Sequence, residues 1–112
     1  VSQAVLRIDA LPDSALDAAA TFHGEWRGRA QSLLDQGDVL AVVLPPAPYD
    51  HADWRRAAAR DLARAVAPKR VNVIASDDER AITAALAYLT AAPGVTGQYL
   101  PLDGHGAGDP LD

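Results

Sequence analysis

Seven residues, Asp38-Val39-Leu40-Ala41-Val42-Val43-Leu44, do most to limit what this chain can become. From the second position on they are uninterruptedly apolar and rich in β-branched side chains. Gly37 stands before them, and Pro45, Pro46 and Pro48 follow. A strand exposed on one side would alternate apolar and polar residues. A run without alternation is a strand covered on both faces, the signature of a parallel sheet packed between helices. The segments on either side must therefore supply helices and further strands.

They do. Ala4 to Ile8 reads as a short strand ending at Asp9 and the Leu11-Pro12 turn. Asp13 or Ser14 can cap a long helix that runs to Gln36 and stops at Gly37. Leu16, Ala19, Phe22, Trp26, Ala30 and Leu33 form its apolar stripe, and Asp17, Thr21, Gly24, Gly28, Gln31 and Asp35 its opposite face. A second helix is expected from Asp50 to Ala67, with Trp54, Ala58, Leu62 and Ala65 inward. Arg70 to Ala75 is the third strand. Ser76 and Glu79 are expected to form a capping box for a third helix, which carries Ile82, Ala85, Leu86 and Leu89 inward and ends near Pro93-Gly94. Gln98 to Leu102 is the last strand. The order β-α-β-α-β-α-β predicts an α/β fold, a four-stranded parallel sheet flanked by three helices, with right-handed crossovers. Residues 1–104 form one domain in this reading, and 105–112 a flexible tail.

Two segments add a resemblance. Ala67 to Ala75 (APKRVNVIA) and Val95 to Gly104 (VTGQYLPLDG), with AITAALAYLTA between them, resemble the C-terminal end of short-chain dehydrogenases/reductases. In that family an RVN-x-I strand precedes the substrate loop, and a VTGQ segment opens the closing strand. The resemblance implies a Rossmann-like domain whose four strands correspond to the last four of the family's seven. It implies that Val39 to Leu44 is the strand that delivers a catalytic serine, and that the second helix bears a Tyr-x-x-x-Lys pair. It further implies dimers built through the first two helices.

The residues at these positions point away from the family's chemistry. Leu44 and Pro45 stand where the serine is expected. Tyr49 is near the tyrosine position, but Asp53 follows it at the spacing of the lysine. A carboxylate there opposes the proton transfer that a lysine would promote. The turn Asp9-Ala10-Leu11-Pro12-Asp13 has no glycine and two carboxylates, which is unsuited to a pyrophosphate. No catalytic residue, cofactor or metal is therefore expected. The net charge of −5 argues against nucleic acid, and no apolar run is long enough for a membrane helix. With no cysteine in the chain, a cytoplasmic protein is the default expectation.

Some clusters carry two readings. His51 with Asp53 could ligate a metal, and Asp77-Asp78-Glu79 a cation, but a charged helix start explains each. Arg55, Arg56, Arg60 and Arg64 could read an anionic ligand or partner, and are expected to be a solvated face. Trp26 and Trp54 are expected in the core. The leading expectation is a non-catalytic scaffold or interaction protein that forms a homodimer or tetramer, or pairs with a full-length dehydrogenase relative. Its contact face would be Asp17, Thr21, Gly24, Gly28 and Trp54. The alternative is a small-ligand protein using a crevice at the carboxyl ends of the strands, lined by Pro45, Tyr49, Ser76 and Asp77. An enzyme of different chemistry, using Tyr49, His51 and Asp53, is the third.

Overall fold

The computed structural model describes residues 3–102. The expected tail, 105–112, and the Asp103-Gly104 that should close the last strand lie outside the described residues. Within them the order is β1 (Gln3–Arg7), α1 (Ala15–Thr21), a π-helical turn (Phe22–Trp26), α2 (Arg27–Asp35), β2 (Val39–Leu44), a 3-10 turn (Tyr49–His51), α3 (Ala52–Val66), β3 (Arg70–Ala75), α4 (Glu79–Thr90) and β4 (Tyr99–Pro101). All three strand pairings are parallel, and the sheet runs β1-β2-β3-β4 straight across. This is the expected four-stranded α/β architecture, since α1, the π turn and α2 form one long helix.

β2 is buried at every position. Leu40, Val42 and Leu44 join Leu6, Ile8, Val71 and Val73 under the long helix and α3. Ala41 and Val43 join Ile74 on the opposite face, where Ile82, Ala85 and Leu89 of α4 cover them. That division corrects the expectation of uniformly right-handed crossovers. In a sheet ordered 1-2-3-4, three crossovers of one hand would put every helix on the same face. Since α4 lies on the other face, the third connection has the opposite hand to the first two. Right-handed connections are the strong norm, but here one exception is what buries the second face of β2 and β3.

The long helix differs from its expected stripe. Ala18, Phe22, Ala30 and Leu34 are buried, Ala19, Trp26 and Leu33 are half-buried, and Leu16 is 86% exposed. The buried positions are separated by multiples of four. In a regular helix each step of four runs about 40° past a full turn, so such a row would drift off the sheet. The π turn corrects this drift. The Arg27 N–H reaches back five residues to the Phe22 carbonyl, and the wider turn rolls the following residues back toward the sheet.

Two smaller corrections concern the other helices. Asp78, not Ser76, caps α4, accepting from the N–H groups of Arg80 and Ala81 at 2.9 and 3.3 Å. Ser76 stands too early to serve: its hydroxyl accepts the N–H of Asp78 itself at 3.0 Å, ahead of the first helical turn. On α3 Ala65 is exposed and Ala59 takes the buried place. Arg55, expected in solvent, is buried as well.

Candidate functional site

The carboxyl ends of β1, β2 and β3 enclose a small crevice of about 210 Å³. Pro45, Ser76 and Asp77 line it, as do Arg7, Asp9 and Glu79. Three of the four residues expected there thus converge. Tyr49 does not: it is 92% exposed and stands outside the lining. Sequence reasoning missed Arg7 and Glu79, which come from elements far apart in the chain. Only the strand pairing brings them together.

Arg7 grips Glu79 with two parallel hydrogen bonds of 2.9 and 2.6 Å across the rim. The bonds from Arg7 hold the Glu79 carboxyl below the usual carboxylate range. Both groups are solvent-exposed, so the pair adds little to stability and is screened by salt. Its sign is still defined. A carboxyl whose folded value is depressed contributes above its unfolded value and loses that contribution as pH falls through the folded one. An acid titration followed on the Glu79 side-chain carboxyl by 13C NMR should give a midpoint below the usual glutamate range. Replacing Arg7 by Ala should remove the difference.

The residues proposed for other chemistry are separated by their bonding. His51 is 3% exposed, and its Nε2 lies 2.9 Å from Asp13 O while Nδ1 accepts from Trp54 Nε1 at 3.2 Å. Because a carbonyl only accepts, Nε2 carries the proton and ties the start of α3 to the loop before α1, while Nδ1 is taken up within α3's own first turn. Asp53 points to Arg56, 3.7 Å away on the surface. Among the described residues no group of three or more His, Asp or Glu could hold a metal.

The expected contact face is also divided. Gly24 and Gly28 are exposed, and a methyl group added at either would meet nothing within 4 Å. Asp17 is exposed and Thr21 half-buried. Trp54 instead turns inward against Phe22, with ring centroids 5.6 Å apart. Beside Gly28 a shallow groove of about 550 Å³ reaches Leu6 of β1, lined otherwise by Leu33, Glu25, Arg29 and Ser32.

Arg55 was the least expected resident of the interior. It is 1% exposed, and Nη1 donates to Pro45 O at 2.8 Å and to Tyr99 Oη at 3.4 Å. Its guanidinium carbon lies 5.4 Å from the Trp54 ring and 6.0 Å from that of Tyr99. Such rings offset about 0.5–2 kcal/mol. Burying an ion costs several kcal/mol. The aromatic contacts therefore leave most of the burial penalty standing.

At the other end of the sheet, β3 and the approach to β4 are tied by a ladder of side-chain and backbone bonds. Val71 N–H donates to Thr96 Oγ1 at 3.1 Å, and Gly97 N–H to Val71 O at 2.7 Å. Asn72, 1% exposed, donates from Nδ2 to Val95 O at 3.0 Å and accepts the Gln98 N–H at 3.1 Å. Arg70 reaches the carbonyls of Leu89 and Ala92 that end α4, at 3.1 and 2.7 Å. Gly97 has φ +73°, and a Cβ there would come within 3.3 Å of Ala63 Cβ. Both the backbone turn and the close approach to α3 require glycine.

The family model described as "SDR-like: Short chain dehydrogenase-like protein" matches residues 6–102. The chain belongs to the SDR-like family. Comparison with curated proteins and with solved structures returned no match. In this SDR-like domain the RVN and VTGQ segments are each other's bonding partners. They close the last strand onto the sheet at the end remote from the crevice.

Proposed function

We propose that this SDR-like domain is a non-catalytic, cytoplasmic scaffold that self-associates through the outer face of its long helix and the edge of β1. The observation that carries the reading is the exposed pair Gly24 and Gly28 in mid-helix, where added methyl groups would meet nothing within 4 Å. Each glycine in a helix interior costs about 1 kcal/mol relative to alanine. Nothing in the surrounding packing requires that cost. A second surface lying close against the helix would repay it, and the Leu6–Leu33 groove beside Gly28 provides apolar area for it. A two-fold dimer is the commonest such arrangement.

Gly28→Arg tests this with two readouts of opposite direction. Sedimentation velocity at micromolar concentration should show a dimer become a monomer. The isolated fold should hold or gain stability, because arginine is a better helix former by about 1 kcal/mol. A wild-type chain that is monomeric under those conditions rules the reading out.

The second reading, a small-ligand protein, draws support from the convergence of Pro45, Ser76, Asp77 and Arg7 at the strand ends. The crevice is smaller than the several hundred Å³ of most ligand pockets, and Asp9, Asp77 and Glu79 disfavour a phosphate there. A thermal-shift screen with dinucleotides and acyl-CoA would reverse the order of the two readings if either ligand stabilises the chain.

A further inference from the structure

We infer that a second copy docks antiparallel along the long helix, about a two-fold axis at the level of Arg27, with each Glu25 paired to Arg29 of the other copy. This rests on the self-association reading and gives it a register. The groove to be covered is lined from the helix by Glu25, Gly28, Arg29, Ser32 and Leu33, and from β1 by Leu6. Its two charges are of opposite sign and stand four residues apart, on either side of Arg27. A two-fold contact sets one surface against itself, so that residue i meets j while j meets i. With the helices antiparallel, this single pair becomes two matched contacts, Glu25 on Arg29 and Arg29 on Glu25. A parallel arrangement would set like charge against like.

The two charges are not spent on each other within one copy. A glutamate four residues ahead of an arginine bridges readily along a regular helix, yet Glu25 and Arg29 form no ion pair together. The π turn ends at Trp26, between them, and alters the rotation that would align them. Arg29 lies instead over the Trp26 ring, its guanidinium carbon 4.7 Å from the centroid. Stacking of this kind engages the flat face of a guanidinium and leaves its N–H fork for a carboxylate. Both side chains are exposed, and Gly28 beside them has no side chain to hold two helices apart. Arg27 is outside the groove lining, so the axis does not press two guanidinium groups together.

The test is sedimentation velocity of the full chain at micromolar concentration, for wild type, Glu25→Arg, Arg29→Glu, the double variant and an equimolar mixture of the two single variants. Each single variant sets two like-charge contacts across the axis and should raise the dissociation constant about a hundredfold, leaving monomer. In the mixture, one chain carries arginine at both positions and the other a carboxylate at both, so a one-to-one dimer should return. The double variant restores opposite charges and should dimerise with itself, a rescue that also shows the substituted chains to be folded. A dimer that survives in both single variants overturns the register and leaves self-association standing. So does a mixture or a double variant that stays monomeric while wild type is dimeric. A monomeric wild type removes this inference and the reading beneath it together.

Discussion

Asn72→Leu is expected to destabilise the domain by about 4 kcal/mol, a substantial part of the roughly 5–15 kcal/mol that a domain of this size possesses. The side chain fills both bonding roles at once, donating to Val95 O and accepting from Gln98 N–H. Leucine occupies much the same volume and can do neither. The Val95 carbonyl and the Gln98 N–H would then lose their partner, a residue that is 1% exposed, each loss costing about 1–3 kcal/mol. β4 has only three residues, and none of them is fully buried. Without the lock its first residue has little to hold it. A urea titration should show the midpoint fall steeply, and hydrogen exchange should show the Leu102 amide, which donates to Ala75 O, losing protection before those of β2. A loss under about 1 kcal/mol would mean that water replaces the amide, and the lock would no longer explain why the two segments occur together.

Phe22→Ala is expected to cost about 3–5 kcal/mol, the usual range for removing a buried aromatic ring. Phe22 is 0% exposed and packs against Trp54 in the larger core cluster. Its loss should open a cavity beside the indole and shift Trp54 fluorescence to longer wavelength. Leu16→Ala provides the contrast. The sequence stripe put both residues on one face, yet Leu16 is 86% exposed, so its truncation should change stability by no more than about 0.5 kcal/mol. A comparable loss for the two variants would contradict the placement of Leu16 and Phe22 on different faces of the helix.

The unbroken apolar run of β2 made the parallel sheet legible, because no other architecture covers both faces of one strand so fully. Helix positions followed from capping residues and periodicity, and their ends from Gly37 and Pro68. The π turn escaped, because a fixed 3.6-residue period has no place for a turn closed five residues back. The hand of the last crossover escaped for a different reason. It depends on which face is left bare, and that is a property of the assembled sheet. At the crevice, Pro45, Ser76 and Asp77 were legible from the general placement of sites at strand ends. Arg7 and Glu79 were not, being 72 residues apart. Arg55 was hidden among look-alikes. Arg56, Arg60 and Arg64 share its helix and face solvent, and only the helix's rotation against β3 and β4 separates it from them. The same rotation turned Trp54 inward, where its indole N–H is taken up by His51.

The position of the lock has a consequence for heredity. RVN and VTGQ meet at the amino ends of β3 and β4, while the crevice lies at the carboxyl ends, roughly 15 Å away along β3. Mutations can therefore accumulate around the crevice without loosening the lock, and the lock can be preserved in descendants that have abandoned the ancestral reaction. The fastening and the crevice are separate in space, and the first carries no information about chemistry at the second.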